Sequence, residues 1–156
     1  MYDVAVIGCG IVGAAAAYEL SCRVLVLEAK NDVANVTTKA NSAILHAGYD
    51  PTPGTLMAET NVRGVALAKE LCEKLDVERE EIGSLVLAFG EEDERHLEKL
   101  YQQGLANGVP GIELLTADEV HALEPNVSDK VTAALYAPTA AIVSPWEYAL
   151  ALAETA

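Results

Sequence analysis

The stretch Val4-Ala5-Val6-Ile7-Gly8-Cys9-Gly10-Ile11-Val12-Gly13, continuing through the alanine-rich Ala14 to Leu20 and on to Arg23-Val24-Leu25-Val26-Leu27-Glu28, decides the fold. Val4 to Ile7 is a short run dominated by β-branched residues and predicts a strand, while Ala14 to Leu20 has high helix propensity. Arg23 to Leu27 predicts a second strand. Both runs are continuously apolar, which predicts parallel strands covered on both faces. Strand, turn, helix and strand make a βαβ unit, with a short connection from Leu20 to Arg23. The turn reads GxGxxG, and Glu28 ends the second strand twenty positions after Gly8. Gly8 permits the tight turn and Gly10 leaves room for a pyrophosphate at the helix N-terminus. Gly13 lets helix and strand pack closely, and the Glu28 carboxylate can accept ribose hydroxyls. This constellation predicts a site for the ADP half of a dinucleotide. Glu28 would repel a ribose 2'-phosphate, which argues against NADP. A glycine-rich turn with no ligand is the alternative reading.

The remaining composition narrows the partners. The 156 residues include 24 acidic and 10 basic side chains, a formal charge of -14. Such a field repels nucleic-acid phosphates and anionic lipid surfaces, so neither is an expected partner. A phosphate must then be captured by local backbone dipoles and helix termini. Cys9, Cys22 and Cys72 are odd in number and lack CxxC spacing, which fits a reducing cytoplasm. Cys9 could be activated at a helix N-terminus, but a small residue filling the turn is the simpler reading, and Cys22 and Cys72 read as packing residues. No apolar run reaches the ~20 residues of a membrane span. His96 and His121 fall in helices beside acidic residues without a ligand cluster, so no metal site is expected.

Further along, Lys30 to Pro53 loses periodicity, as functional loops do. Thr55 to Leu75 regains helical spacing, with Ala68, Leu71, Cys72 and Leu75 on one face. A second pattern begins at Gly83. It comprises a strand over Leu85 to Phe89, then a helix opened by Glu91 to Glu94 that buries Leu97, Leu100 and Tyr101 and stops near Asn107-Gly108. A strand over Ile112 to Leu115 leads to a capping box of Thr116 and Glu119, opening a helix closed by Pro125. Val131 to Tyr136 and Ala140 to Val143 read as a hairpin around Pro138-Thr139. Ser144-Pro145-Trp146-Glu147 starts a last helix, with Ser144 as N-cap and Glu147 closing the box; Trp146 and Tyr148 read as packing residues. The expected architecture is α/β: an incomplete Rossmann-like domain over 1–82, part of an α+β substrate lobe over 83–143, and over 144–156 a crossover helix returning to the first domain. Two parallel strands are few for such a sheet, so its missing strands are expected beyond Ala156, making the rest of its own chain a partner.

The loop separates FAD from NAD. The run Thr37-Thr38-Lys39-Ala40-Asn41-Ser42, then His46-Ala47-Gly48, then Asp50-Pro51-Thr52-Pro53-Gly54-Thr55-Leu56 resembles the FAD-dependent glycerol-3-phosphate dehydrogenases and oxidases of the D-amino-acid-oxidase-like superfamily. L-2-hydroxyglutarate dehydrogenases are near relatives. The likeness continues through Gly83-Ser84-Leu85-Val86 and Ser144-Pro145, so it covers essentially the whole chain. Its motifs are specific to the superfamily and less so to the substrate.

The resemblance implies FAD contacts from Val12, Glu28, Thr37, Thr38, Ser42, Ala43 and Ile44, beside the motif glycines Gly8, Gly10 and Gly13; Asn41 lies in the same run and is counted with them. It places Ser42 near the substrate and makes His46 the base that takes the hydroxyl proton while hydride passes to the flavin. Histidine chemistry agrees, since an imidazole titrating near neutrality can accept an alcohol proton. Gly48 would allow close backbone approach beside the ring. Two departures bear on FAD affinity: Cys9 stands where the family more often has glycine, and the helix-to-strand connection is short. The implied reaction is oxidation of sn-glycerol 3-phosphate to dihydroxyacetone phosphate, with a fragment of this length inactive alone. Basic residues that would clamp the substrate phosphate form no cluster here and are expected beyond Ala156. Three alternatives stay open: another 2-hydroxy acid such as L-2-hydroxyglutarate, or an amine, on the same scaffold; a non-catalytic dinucleotide-binding fragment; and a His46 that merely ends a strand.

Overall fold

A computed structural model describes residues 1–156. The chain forms two compact units, one of residues 1–44, 69–79 and 142–156, the other of residues 45–68 and 80–141. Residues 45–68 group with the second unit and residues 69–79 with the first. Residues 144–156 group with the first.

The first unit holds β1 (Val4–Ile7), α1 (Ile11–Glu19), β2 (Val24–Leu27) and α5 (Pro145–Thr155). β1 and β2 pair in parallel, with Val4 opposite Val24 and Ile7 opposite Leu27. At the two ends of the ladder, Asp3 N–H donates to Arg23 O and Gly8 N–H to Leu27 O. The alanines of α1 let α5 approach closely: Ala14 and Ala17 are fully buried, and Leu152 of α5 joins Cys9 and Ala14 in one cluster. Burying Leu152 contributes about 2 kcal/mol. Ser144 caps α5 by accepting the Glu147 N–H, with Pro145 in its first turn.

Coverage of β1 and β2 on both faces is not found. Each strand has only the other as a neighbour in its sheet, and of their residues only Val26 packs on the cluster. Ile7 is 88% exposed and Leu27 51%. Trp146 (53% exposed) and Cys22 are likewise surface residues, against the packing roles expected of them, whereas Cys72 is buried and Tyr148 packs against the cluster.

In the second unit, β5 (Ser84–Ala88), β7 (Ala133–Ala137) and β6 (Glu113–Thr116) make an antiparallel sheet in the order β5-β7-β6. Leu135 of β7 faces Val86 of β5 and Leu114 of β6. Alternation along the strands gives the sheet two apolar faces. Ala133, Leu135, Ala137, Val86 and Ala88 pack with Leu97 and Leu100 of α3 (Glu91–Asn107), while Ala134, Tyr136, Leu85 and Leu87 pack with Val120 of α4 (Ala117–Leu123). The capping box of α4 is complete: Thr116 Oγ1 accepts the Glu119 N–H, and Glu119 accepts the Thr116 N–H. Gly108 ends α3 in the left-handed conformation with φ 77°.

α2 (Leu56–Lys74) starts in the second unit and ends in the first, burying Ala58, Ala68 and Cys72. The short strands β3 (Ile44–Leu45), β4 (Arg79–Glu80) and β8 (Ala141–Val143) lie where the chain passes from one unit to the other. The expected hairpin of β7 and β8 does not form. The turn is present, with Ala140 N–H donating to Ala137 O, but both edges of β7 are taken by β5 and β6. β8 pairs elsewhere, its Val143 N–H donating to Ala43 O.

Candidate functional site: a glycine turn and its loop

The first unit builds its site from the end of β1. Gly8 turns the chain at φ 93°, a conformation that disfavours other residues. A Cβ on Gly13 would lie 2.0 Å from the Gly8 carbonyl oxygen, so α1 can follow β1 this closely only with glycine there. Gly10 is the N-cap of α1 and supplies no side-chain cap, which leaves first-turn N–H groups open to an acceptor from outside the helix. One of them is taken within the chain: Ile11 N–H donates to Thr38 Oγ1 at 3.0 Å. A Cβ on Gly10 would sit 3.0 Å from that same oxygen.

Glu28 reaches back to the turn. Its Oε2 accepts the Cys9 N–H at 2.7 Å, and its Oε1 accepts the Lys30 N–H at 2.8 Å. These bonds, that from Cys9 first, hold the carboxyl below the usual glutamate range. Each oxygen keeps a second lone pair for a further donor. Cys9 itself is buried, and burial, with the Glu28 charge beside it, pushes its thiol up. It fills the turn as a thiol and is not an activated thiolate.

Asn41 shapes the loop after β2. Its Nδ2 donates to the carbonyls of Thr37 (3.2 Å) and Thr38 (2.6 Å), and its Oδ1 accepts the Ala43 N–H at 2.8 Å. Ala43 is thereby held at φ 62°, left-handed for a residue with a Cβ. Turn and loop enclose an open groove of about 600 Å³. Of the residues expected to hold a cofactor, the groove gathers Gly8, Gly10, Val12, Gly13, Thr37, Thr38 and Asn41; Glu28, Ser42, Ala43 and Ile44 are not part of its wall. Val6, Ile7, Ile11 and Ala16 line it without having been expected. Ile7 and Ile11 flank the glycines, and Ala16 follows Gly13 at helical spacing, so the motif's own periodicity could have found them.

His46 belongs to the second unit, where its side chain is exposed and its carbonyl accepts a bond from Asn61 Nδ2. Gly48 has φ 108°, and a Cβ there would lie 2.6 Å from Val62 Cγ2. Glycine at 48 thus lets the loop pass close to Val62 of α2. Asn61 was not foreseen, because no local pattern marks a contact fifteen residues apart. No three His, Cys, Asp or Glu side chains gather as metal ligands, and no helix is long and apolar enough to cross a membrane.

Comparison with known proteins places this geometry. Over its whole length the chain is 50% identical to a glycerol 3-phosphate dehydrogenase of Caloramator mitchellensis, of which it covers 33%. It is 34% identical, over 92% of its length, to the mitochondrial L-2-hydroxyglutarate dehydrogenase of Dictyostelium discoideum, again covering 33% of that protein. Among solved structures, the dithionite-reduced L-alpha-glycerophosphate oxidase of Mycoplasma pneumoniae with FAD bound superposes with a TM-score of 0.89 at 32% identity, over 98% of this chain and 41% of that one. The chain thus spans about a third of the length of the curated relatives it matches. Residues 3–156 match the family described as FAD dependent oxidoreductase. On that match, the chain belongs to the FAD-dependent oxidoreductases.

Proposed function

We propose that this chain supplies the FAD cradle and the base of an enzyme that oxidises sn-glycerol 3-phosphate at C2 to dihydroxyacetone phosphate. The observation that carries the substrate is the 50% identity, across every residue of the chain, to a glycerol 3-phosphate dehydrogenase. The residues present fit the cofactor: the Cβ-free Gly10 and the uncapped start of α1 suit a pyrophosphate, and the groove walls at Val12, Thr37, Thr38 and Asn41 suit the rest of the ADP half. Glu28, already bonded to the turn, offers its remaining lone pairs to ribose hydroxyls. When bound, FAD supplies the oxidant that takes hydride from C2. His46 accepts the C2 hydroxyl proton as the carbonyl forms, and Ser42, four residues earlier in the chain, helps to orient the substrate. Ala43 and Ile44 complete the FAD contacts. By the same reading, residues 1–82 are the first part of the FAD domain, 83–143 part of a substrate lobe, and the protein works in the cytoplasm.

A second reading, oxidation of L-2-hydroxyglutarate, is favoured by the 34% identity to the Dictyostelium enzyme. The test is anaerobic mixing of the full-length flavoenzyme with each compound. Bleaching of the flavin by glycerol 3-phosphate, and its loss in His46→Asn with flavin retained, is the expected result. Bleaching by L-2-hydroxyglutarate alone would transfer the proposal to that substrate. Flavin that neither compound reduces would make the chain a binding module.

A further inference from the structure

We infer that Asn61 is a positioning residue for His46, the outermost of three carboxamide side chains that grip the histidine loop by its carbonyls; the inference rests on His46 being the base. From His46 to Pro51, five of the six backbone carbonyls accept a side-chain amide hydrogen from outside the loop. Asn61 Nδ2 donates to His46 O. Asn107 Nδ2 spans Gly48 O (2.9 Å) and Pro51 O (2.8 Å), and Gln103 Nε2 spans Tyr49 O and Asp50 O, each at 3.3 Å. All three donors project from helices, Asn61 from α2 and the others from α3, so the grip is anchored on rigid elements within the second unit.

The grip answers a physical need. The loop makes no ladder over 46–51, and its carbonyls would otherwise depend on solvent for partners. Packing already fixes its far side: Ala47 and Tyr49 are buried with Leu97, Leu100 and Ile112, Gly48 lies against Val62, and Gly104 of α3 gives Tyr49 room to approach. His46 stands at the near end, exposed and outside the buried cluster that holds Ala47 and Tyr49. The Asn61 bond is what holds its peptide plane, and hence the direction of its Cα–Cβ bond. An imidazole that must meet a hydroxyl within hydrogen-bond reach loses rate steeply with small displacements, on the order of a hundredfold for ~1 Å. Asn107 and Gln103 secure the rest of the loop and have no direct hold on His46.

The test uses the full-length flavoenzyme with Asn61→Leu, an apolar side chain of similar size, and Asn61→Gln, which keeps an amide donor. Asn61→Leu should slow flavin reduction at saturating glycerol 3-phosphate about tenfold to a hundredfold, with KM, flavin content and melting temperature little changed. Asn61→Gln should recover part of the rate. Hydrogen exchange in a peptide covering residues 45–51 should rise in Asn61→Leu. In a His46→Asn background, Asn61→Leu should slow reduction no further, because it acts through the imidazole. A parallel fall of rate, flavin content and melting temperature would reduce Asn61 to a structural residue, and an unchanged rate would overturn the inference outright. Full reduction by the His46→Asn single variant would instead remove the base on which the inference stands, a result distinct from any outcome at Asn61.

Discussion

The Cys9 N–H and the Glu28 carboxylate meet at 2.7 Å, so the residue at the end of β2 fastens the turn that follows β1. The acid proposed to hold the ribose thus has a second duty in this chain, stabilising the glycine turn. Because its folded carboxyl lies below the ordinary glutamate value, this contribution is fully present above that value and disappears as pH falls through the lowered one. The denaturation midpoint of the holoprotein should therefore fall on acidification more steeply in the native protein than in Glu28→Gln, whose amide cannot titrate. Equal acid slopes in the two proteins would remove Glu28 from the stability of the turn.

Gly13 and Gly8 differ in why they are glycine, and the difference can be measured. Alanine at Gly8 meets no atom within 4 Å and suffers only its positive φ, about 1–2 kcal/mol. Alanine at Gly13 drives a methyl to 2.0 Å from a backbone carbonyl, which α1 can relieve only by moving off β1. Its cost lies at or above the top of the ~1–3 kcal/mol typical of overpacking. Denaturant unfolding should rank Gly13→Ala well below Gly8→Ala, with flavin content falling alongside. A reversed order would mean that α1 and β1 are not held at the spacing described.

Asn41 offers a case where the loop and a direct contact can be separated. Its amide joins Thr37, Thr38 and Ala43, so Asn41→Asp, which keeps the acceptor and loses both donors, should weaken FAD retention by releasing the Thr37–Thr38 wall. Two hydrogen bonds of this exposed kind are worth about 1 kcal/mol each, so a loss of up to roughly thirtyfold in FAD affinity is expected. Asn41→Ser, with a shorter donor, should fall between. FAD affinity unchanged in Asn41→Asp would show that the wall holds without the amide.

The local signals were legible from sequence because each is written in adjacent residues. GxGxxG after a β-branched run, Thr116 with Glu119, and Gly108 after a helical stripe all appear as expected. What was not legible depends on distant neighbours. Continuous apolarity in β1 and β2 said nothing of how many strands lie beside them, and the turn at Pro138-Thr139 did not disclose that β7 already had two partners. The contact of Gly48 with Val62 is one that only the path of α2 reveals. The hold of Asn61 on His46 escaped for the same reason.

Gly64 is the site where the fold should tolerate improvement. It lies within α2, is exposed, has nothing within 4 Å of the point where a Cβ would stand, and needs no positive φ. Replacing it by alanine removes freedom from the unfolded chain and should raise stability by about 0.4–1 kcal/mol, read as a higher denaturation midpoint with flavin reduction unchanged. A lower midpoint would require a partner for that face of α2.

Tyr148 carries the clearest alkaline signature. It lies on α5 in the cluster with Cys9, Ala14 and Leu152, and burial, then the neighbouring Cys72 and Tyr18, push its phenol up to about 12. A phenol whose folded value is raised lends stability in full below the ordinary tyrosine value, and that stability is lost as pH climbs toward about 12. Of the six tyrosines, Tyr148 should be the last to give a tyrosinate absorbance in an alkaline titration. Tyr148→Phe keeps the ring that packs against α1 and removes the proton, so the last step should vanish and stability should decline less between pH ~10 and the top of the titration. If Tyr148 ionises with the exposed tyrosines, α5 does not seal the cluster, and the close packing of α1 against α5 described for the first unit fails with it.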